Sequence, residues 1–283
     1  IRIVPGPVTL AGMSVDSRND NIALSAALDA YAPAKVAERA AVAGVAKATL
    51  PLVPLFTLAV LAGAFIAFGA VFYLAVLFQL GPGIGRLLGA VAFSLGLFLI
   101  VVGGAELFTG NNLIILARCD GLIGTGALLR NWGVVYIGNF VGAAATAWLI
   151  AQSGIIGPEG GGFAELVHRV ANAKIALPPE QAFIRGLLCN ILVCLSVWLC
   201  FACHTVTDKA LAVVFPITAF VMLGFEHSVA NMFFLPLAVF TGLPPDTAGI
   251  AGNLAAVTAG NIVGGSLFVG IVYWIIYRRG AGG

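Results

Sequence analysis

Charge is what this chain lacks most. Asp, Glu, Lys and Arg supply 9 % of its 283 residues, where soluble domains carry about 25 %. That scarcity excludes a water-soluble fold. A hydrophobic content of 60 % and a mean hydropathy of +1.05 identify an integral membrane protein. No run of Lys and Arg exists, so the net charge of +2 points to no nucleic-acid partner. Cysteine is sparse as well. Cys119 stands apart, while Cys189, Cys194, Cys200 and Cys203 sit in or at the end of one apolar segment, as small hydrophobes and not as a disulfide framework. Cys200-Phe201-Ala202-Cys203-His204 spells the C-x-x-C-H string of c-type haem attachment. It closes an apolar helix on the side that the charge distribution below makes cytoplasmic, which is the wrong context, and no cofactor is expected. A signal peptide is not evident either, because Val8 to Met13 is too short for an h-region and has no basic flank.

What is present is a succession of apolar runs. Residues 1–19 hold Pro, Gly and Ser without periodicity and read as disordered or left over from expression. In residues 20–50, Ile22, Leu24, Leu28, Val36, Val42 and Val45 mix with Lys35, Glu38, Arg39 and Lys47, the pattern of an amphipathic helix on the membrane surface, broken near Pro33. Residues 51–279 hold six spans. Span 1 runs from about Leu52 to Leu80, span 2 starts after Arg86, span 3 covers about Gly133 to Ala151, span 4 about Gly186 to Cys203, span 5 about Ala210 to Phe240, and span 6 about Leu254 to Tyr277. Between spans 3 and 4 a polar, Gly/Pro-rich stretch from Gln152 to Gln181 carries Glu159, Glu165, His168, Arg169 and Lys174.

Spans 2 and 5 are interrupted. Glu106-x4-Asn111 in span 2 returns as Glu226-x4-Asn231 in span 5, 120 positions later, and Asn131-x6-Gly138-Asn139 returns as Asn253-x6-Gly260-Asn261, 122 positions later. Two matches in order at nearly one offset indicate a duplicated three-span unit. An odd number of crossings per unit inverts the second copy, and corresponding breaks in inverted halves point to a pathway at the bilayer midplane. Placing both termini in the cytoplasm puts ten Lys and Arg residues on that side against four on the other, which is the orientation the positive-inside rule favours.

Glu226 and His227 stand in a run with no other charge between Lys209 and Asp246. Ionisable groups at membrane depth are costly, by about 2.5–3.5 kcal/mol on insertion scales, and persist where they line a cavity or a path. His227 is the only histidine in a span, and histidine is the side chain that changes charge near neutral pH. Proton exchange during anion passage, a channel for neutral solutes in which the histidine only hydrogen-bonds, and an intramembrane enzyme all fit the pair. No nucleophile or metal-ligand set accompanies it for the last.

Ala34-Lys35-Val36-Ala37-Glu38, Gly104-Ala105-Glu106-Leu107-Phe108-Thr109, Asn131-Trp132, Gly224 to Met232 and Gly260 to Gly265 together resemble the formate/nitrite transporter family over about residues 20–277. The resemblance implies an all-α membrane protein of six transmembrane helices in two inverted three-helix repeats, with broken second and fifth helices and an aquaporin-like protomer. It implies a homopentamer in the bacterial inner membrane that passes formate, nitrite or hydrosulfide together with protons. His227 resembles the family's central pore histidine with Glu226 its support, and Thr109 the hydroxyl of the span 2 break, flanked by Leu107 and Phe108. Phe93 and Leu97 resemble a cytoplasmic constriction and Phe220 a periplasmic one. Lys174 resembles an electropositive vestibule residue, and Asn190 and Asn261 resemble polar residues near the centre. An aquaporin-like passage for neutral solutes is the alternative.

Overall fold

The structure is a computed structural model that describes residues 29–158 and 161–280. The expectations for residues 1–19, and for the amphipathic helix before residue 29, lie outside the described residues. Among the described residues there is no strand.

Helix α1 (Pro33–Thr49) opens with proline at its first turn, where a missing N–H costs nothing. It buries Val36, Ala37, Ala40, Ala41, Gly44 and Ala48 and turns Lys35 and Glu38 outward as an ion pair at 2.8 Å. The Lys35 ammonium, hydrogen-bonded to Glu38, holds that carboxyl below the usual range. Helix α2 (Leu52–Leu80) crosses without a charge. It ends at Gly81, whose φ of +74° suits a residue with no Cβ. A π-helical turn, Gly81–Gly85, leads into α3 (Arg86–Gly103).

The run Leu52–Gly103 is helical throughout, yet it is a hairpin. Gly69 lies on Phe93 and Gly96, Gly89 on Tyr73, and Gly96 on Phe65 and Ile66, so one number rises as the other falls and α2 and α3 are antiparallel. Gly104 then terminates α3 in the left-handed region, its N–H bonded to Ile100 O at 2.9 Å. After a non-helical stretch, a 3₁₀ turn (Gly110–Ile114) and α4 (Ile115–Cys119) complete the crossing, and α5 (Thr125–Gln152) returns.

The second half repeats the plan. Helix α6 (Gly162–Ile175) buries Phe163, Ala164, Val167 and Ala171 along one side. Next come α7 (Pro179–Ala202) and α8 (Val206–Leu223), the latter closed by Gly224 at φ +72°. Helix α9 (Ser228–Phe240) restarts after the break. Finally α10 (Thr247–Ile262), a π-helical segment (Val263–Ile271) and α11 (Val272–Tyr277) form the last crossing. Among the described residues, α3 with α4 forms one broken segment and α8 with α9 the other.

The repeat is longer than the three-span unit read from the sequence. Each half begins with an amphipathic helix, α1 or α6, and the second of these lies in the stretch read as polar and Gly/Pro-rich from Gln152 to Gln181. Spans 3 and 4 also begin earlier than expected, at Thr125 and Pro179.

The two halves share one packing device. Gly138 rests on Ala59 and the Phe56 carbonyl, Gly142 on the Val60 carbonyl, Gly260 on the Phe183 carbonyl and Gly264 on the Leu187 carbonyl. Backbone-to-backbone approach of this kind is how helices associate in lipid, where apolar burial gives no drive. The seams α2–α5 and α7–α10 are parallel, and they fix the frame that holds the two breaks.

Candidate functional site

Each break is held by the same bracket of polar groups. In the first half, Glu106 N–H donates to Leu58 O at 3.2 Å and Asn139 spans the gap. Its amide donates to Ala59 O at 2.7 Å and Glu106 O at 2.9 Å, and its oxygen accepts from Phe108 N–H at 2.9 Å. In the second, Glu226 N–H donates to Arg185 O at 3.2 Å. Asn261 donates to Gly186 O at 2.8 Å and Glu226 O at 3.0 Å, and accepts from Ser228 N–H at 2.9 Å. Both N–H donors and the oxygen of each amide are thus spent on backbone, and each amide ties the unwound chain of its break to an intact helix, which is what permits unwound chain at membrane depth.

The carboxylates carry a second matched set. Glu106 accepts from Lys47 Nζ at 2.5 Å and from Asn111 at 2.7 Å; Asn111 donates to Asn131 at 3.0 Å, and Asn131 to Lys47 O at 3.0 Å. Glu226 accepts from Lys174 Nζ at 2.9 Å and from Asn231 at 2.7 Å; Asn231 donates to Asn253 at 2.8 Å, and Asn253 to Lys174 O at 2.8 Å. Lys47 ends α1 and Lys174 ends α6, so the amphipathic helices exist in both halves to deliver a lysine to a buried glutamate. The sequence reading singled out Lys174 and missed its counterpart Lys47. The repeat offset did not point to it, because Lys47 lies 59 positions before Glu106 and Lys174 only 52 before Glu226.

Between the brackets lies His227. Its Nδ1 accepts the Ala230 N–H at 3.1 Å as the N-cap of α9, and its Nε2 is 2.9 Å from Thr109 Oγ1. An acceptor at Nδ1 leaves the proton of the neutral ring on Nε2, so the ring donates to Thr109 and the hydroxyl proton of Thr109 is directed elsewhere. Both side chains are buried. The repeat is broken here on purpose: counted from Glu106 and Glu226, Leu107 occupies the place of His227, so only one half brings an ionisable group to the centre. Asn190 Nδ2 donates to Asn112 Oδ1 at 2.7 Å and Asn261 O at 2.7 Å and lies 3.2 Å from Thr109 O, which sets the Thr109 backbone against the second half.

Two cavities flank this centre. One of about 310 Å³ is lined by Lys47, Leu97, Glu106 and Leu107, and one of about 100 Å³ by Phe93, Lys174, Phe220, Glu226 and His227. Phe220 stacks on the His227 ring at 5.9 Å and meets Phe93 edge-on at 5.7 Å. The structure therefore groups Phe93 with Phe220 on the Lys174 side, where the sequence reading had grouped it with Leu97. Leu97 and Leu107 face the Lys47 side. Phe108 is buried against Tyr136 at 5.0 Å and Trp132 at 6.4 Å, and lines neither cavity. The C-x-x-C-H string is occupied otherwise: His204 Nε2 lies 2.6 Å from Asp29 O, and Cys203 donates to Leu199 O. Among the described residues no cluster of metal-ligating side chains occurs.

A helical bundle with two matched halves, each broken once, and with a cavity on either side of the breaks, has the build of a multi-pass membrane protein of channel or transporter class. The chain belongs to the formate/nitrite transporter family, whose profile, "Formate/nitrite transporter", matches residues 34–275. It is 39 % identical over 273 residues to the formate channel FocA of Escherichia coli (strain K12), covering 89 % of this chain and 96 % of that one. It is 40 % identical over 253 residues to the uncharacterized transporter YrhG of Bacillus subtilis (strain 168), covering 87 % and 94 %. Among solved structures it is similar to an FNT family ion channel with a TM-score of 0.80 at 32 % identity, covering 86 % of this chain and 98 % of that one. A pentameric formate channel with formate bound matches with a TM-score of 0.73 at 38 % identity, covering 81 % and 98 %.

Proposed function

We propose that this chain passes small monovalent weak-acid anions, formate foremost and nitrite or hydrosulfide by the same chemistry, across a bacterial inner membrane. It does so as a homopentamer with both termini in the cytoplasm, and a proton joins the anion at the His227–Thr109 pair. The reading is supported by the formate channels among its relatives and by the pentameric neighbour with formate bound. The observation that carries it is the buried Nε2–H···Oγ1 hydrogen bond between the two cavities. Lys47 and Lys174 draw anions to the two mouths, each held in place by a glutamate that cancels part of its charge.

Energies favour a proton at the centre. Holding a carboxylate of pKa about 4 in its acid form at pH 7 costs roughly 4 kcal/mol. Stripping the bare anion of water in a low-dielectric constriction costs several kcal/mol or more. Desolvation between Phe93, Phe220 and Leu97 raises the anion's own pKa, making it the strongest base in the passage. The Thr109 hydroxyl donates to it; a hydronium ion in the vestibule gives Nδ1 a proton as Nε2–H passes through the Thr109 hydroxyl to the anion, so the ring stays neutral and returns to its resting tautomer by exchange with vestibule water. The neutral acid crosses the apolar segment and loses the proton on the far side.

The test is isotope flux in proteoliposomes. Formate, nitrite and hydrosulfide are expected to equilibrate at rates far above those of protein-free vesicles, and glycerol is not. Glycerol flux equal to formate flux would assign the chain to neutral solutes instead.

A further inference from the structure

The cavity on the Lys47 side is larger than a one-carbon anion needs. At about 310 Å³ it enters the range of pockets that hold whole organic ligands, about 300–1,000 Å³, and it has about three times the volume of the cavity on the other side. It also holds two cations besides the lysine of the duplicated framework, where the cavity on the other side holds one, Arg86. Arg39 and Lys209 line it together with Lys47 and Glu106. By the spacing of Lys47 from Lys174, the second-half counterpart of Arg39 is Leu166; by the spacing of Glu106 from Glu226, the first-half counterpart of Lys209 is Gly89.

Glu106 is already neutralised by Lys47. The acidic neighbours of the two extra cations are engaged elsewhere. Glu38 pairs with Lys35, and Asp208 closes a capping box with Thr205. Arg39 is pre-set: its guanidinium lies over the Tyr31 ring at 4.2 Å, and Tyr31 meets the His204 ring at 4.3 Å, tilted by 33°. Its Nε is shut off from solvent and has no hydrogen-bond partner among the described residues. A guanidinium seated on an aromatic face beside a cavity can take an oxyanion bidentately through its two terminal nitrogens. The remaining wall is apolar, from Ala40, Ala43, Ile100, Val197 and Phe201.

We propose that this vestibule binds a multi-carbon organic dicarboxylate, with one carboxylate on the Arg39 fork, the second near Lys209 and the hydrocarbon middle against the apolar wall. Seated there, above Leu97 and beside Glu106, the dicarboxylate obstructs the passage. The site rests on the cavity alone; the obstruction rests on the transport reading above.

Succinate is the probe. Calorimetric titration into the purified full-length oligomer is expected to show saturable binding that weakens at least tenfold in Arg39→Gln and in Lys209→Gln. Arg39→Lys, which keeps the charge and loses the fork, weakens it as well. Phosphate, with no hydrocarbon middle, binds more weakly than succinate. Size-exclusion chromatography confirms an intact oligomer, and Lys209→Gln tests the site should Arg39→Gln loosen α1. Succinate on the cytoplasmic side is then expected to slow formate flux in the wild type and not in Lys209→Gln, each measured against its own uninhibited rate. Absence of saturable succinate binding, or binding that both glutamine variants leave unchanged, would overturn the site. Binding with no slowing of a measurable formate flux would overturn the obstruction. A wild type with no formate flux at all overturns the transport reading, and the titration still decides the site.

Discussion

His227 was conspicuous because nothing else in its span is ionisable apart from Glu226, and a sequence shows that at once. Its orientation was not legible, because the tautomer depends on Ala230 N–H three residues on and on Thr109 from the other half. Lys174 shows the reverse difficulty. Alone in the sequence it is a lysine in a polar stretch, whereas in the fold it is 14 % exposed and paired with a glutamate that is 5 % exposed. Removing one partner of a buried pair strands the other charge at a cost of about 3–5 kcal/mol. Lys174→Ala is therefore expected to lower the thermal midpoint of the oligomer and to slow formate uptake, more at low ionic strength than at high, since salt screens a field over ~10 Å at 0.1 M. Adding Glu226→Gln is expected to recover stability and not uptake. Lys47→Ala should behave alike at the other mouth. Thermal size-exclusion profiles and uptake at two salt concentrations check both parts, and a defect in uptake that salt does not alter would make Lys174 purely structural.

At the scale of helices, the breaks and the seams come from the same few residue types. Gly104 and Gly224 stop α3 and α8 in the left-handed region, and Asn139 and Asn261 take over the backbone groups that the breaks release. The glycine spacing and the Glu-x4-Asn repeat were readable in one dimension. Helix α6 was not, because a 14-residue amphipathic helix that lays only one side against the core looks like loop composition until its buried face is seen. The repeat gives an expectation about single glycines. Gly264 has the Leu187 backbone against it, and Gly252 has nothing within 4 Å. Gly264→Leu must part α7 from α10, and overpacking of this kind costs about 1–3 kcal/mol or more. Gly264→Leu is expected to abolish the folded oligomer and Gly252→Leu to leave it intact, as fluorescence-detected size-exclusion chromatography would show. Equal yields of the two would remove the seam from the account.

For the whole molecule, two vestibules meet at a short apolar stretch, with Phe93 and Phe220 on one side of the histidine and Leu97 and Leu107 on the other. Apolar constrictions of this kind exclude hydrated ions by dewetting. Replacing Leu97 and Phe220 together by Ala is expected to admit chloride current in planar bilayers and to lower the preference for protonatable anions over chloride. An intact oligomer with unchanged chloride current would refute the gate. The placement of Phe93 beside Phe220 could not be read from the chain, since both are phenylalanines in apolar helices. Only the pairing of α3 with α8 brings the rings to 5.7 Å.

The account turns on a proton joining the anion at His227, and the most direct measurement is radiolabelled formate uptake into proteoliposomes as a function of external pH. In the wild type the rate should climb as the external pH falls, because each anion that crosses takes up a proton whose supply rises with acidity. His227→Asn keeps hydrogen-bonding capacity but cannot transfer a proton. That variant, verified as an intact oligomer, should lose the climb. A His227→Asn channel whose uptake keeps the wild-type pH dependence would contradict the account.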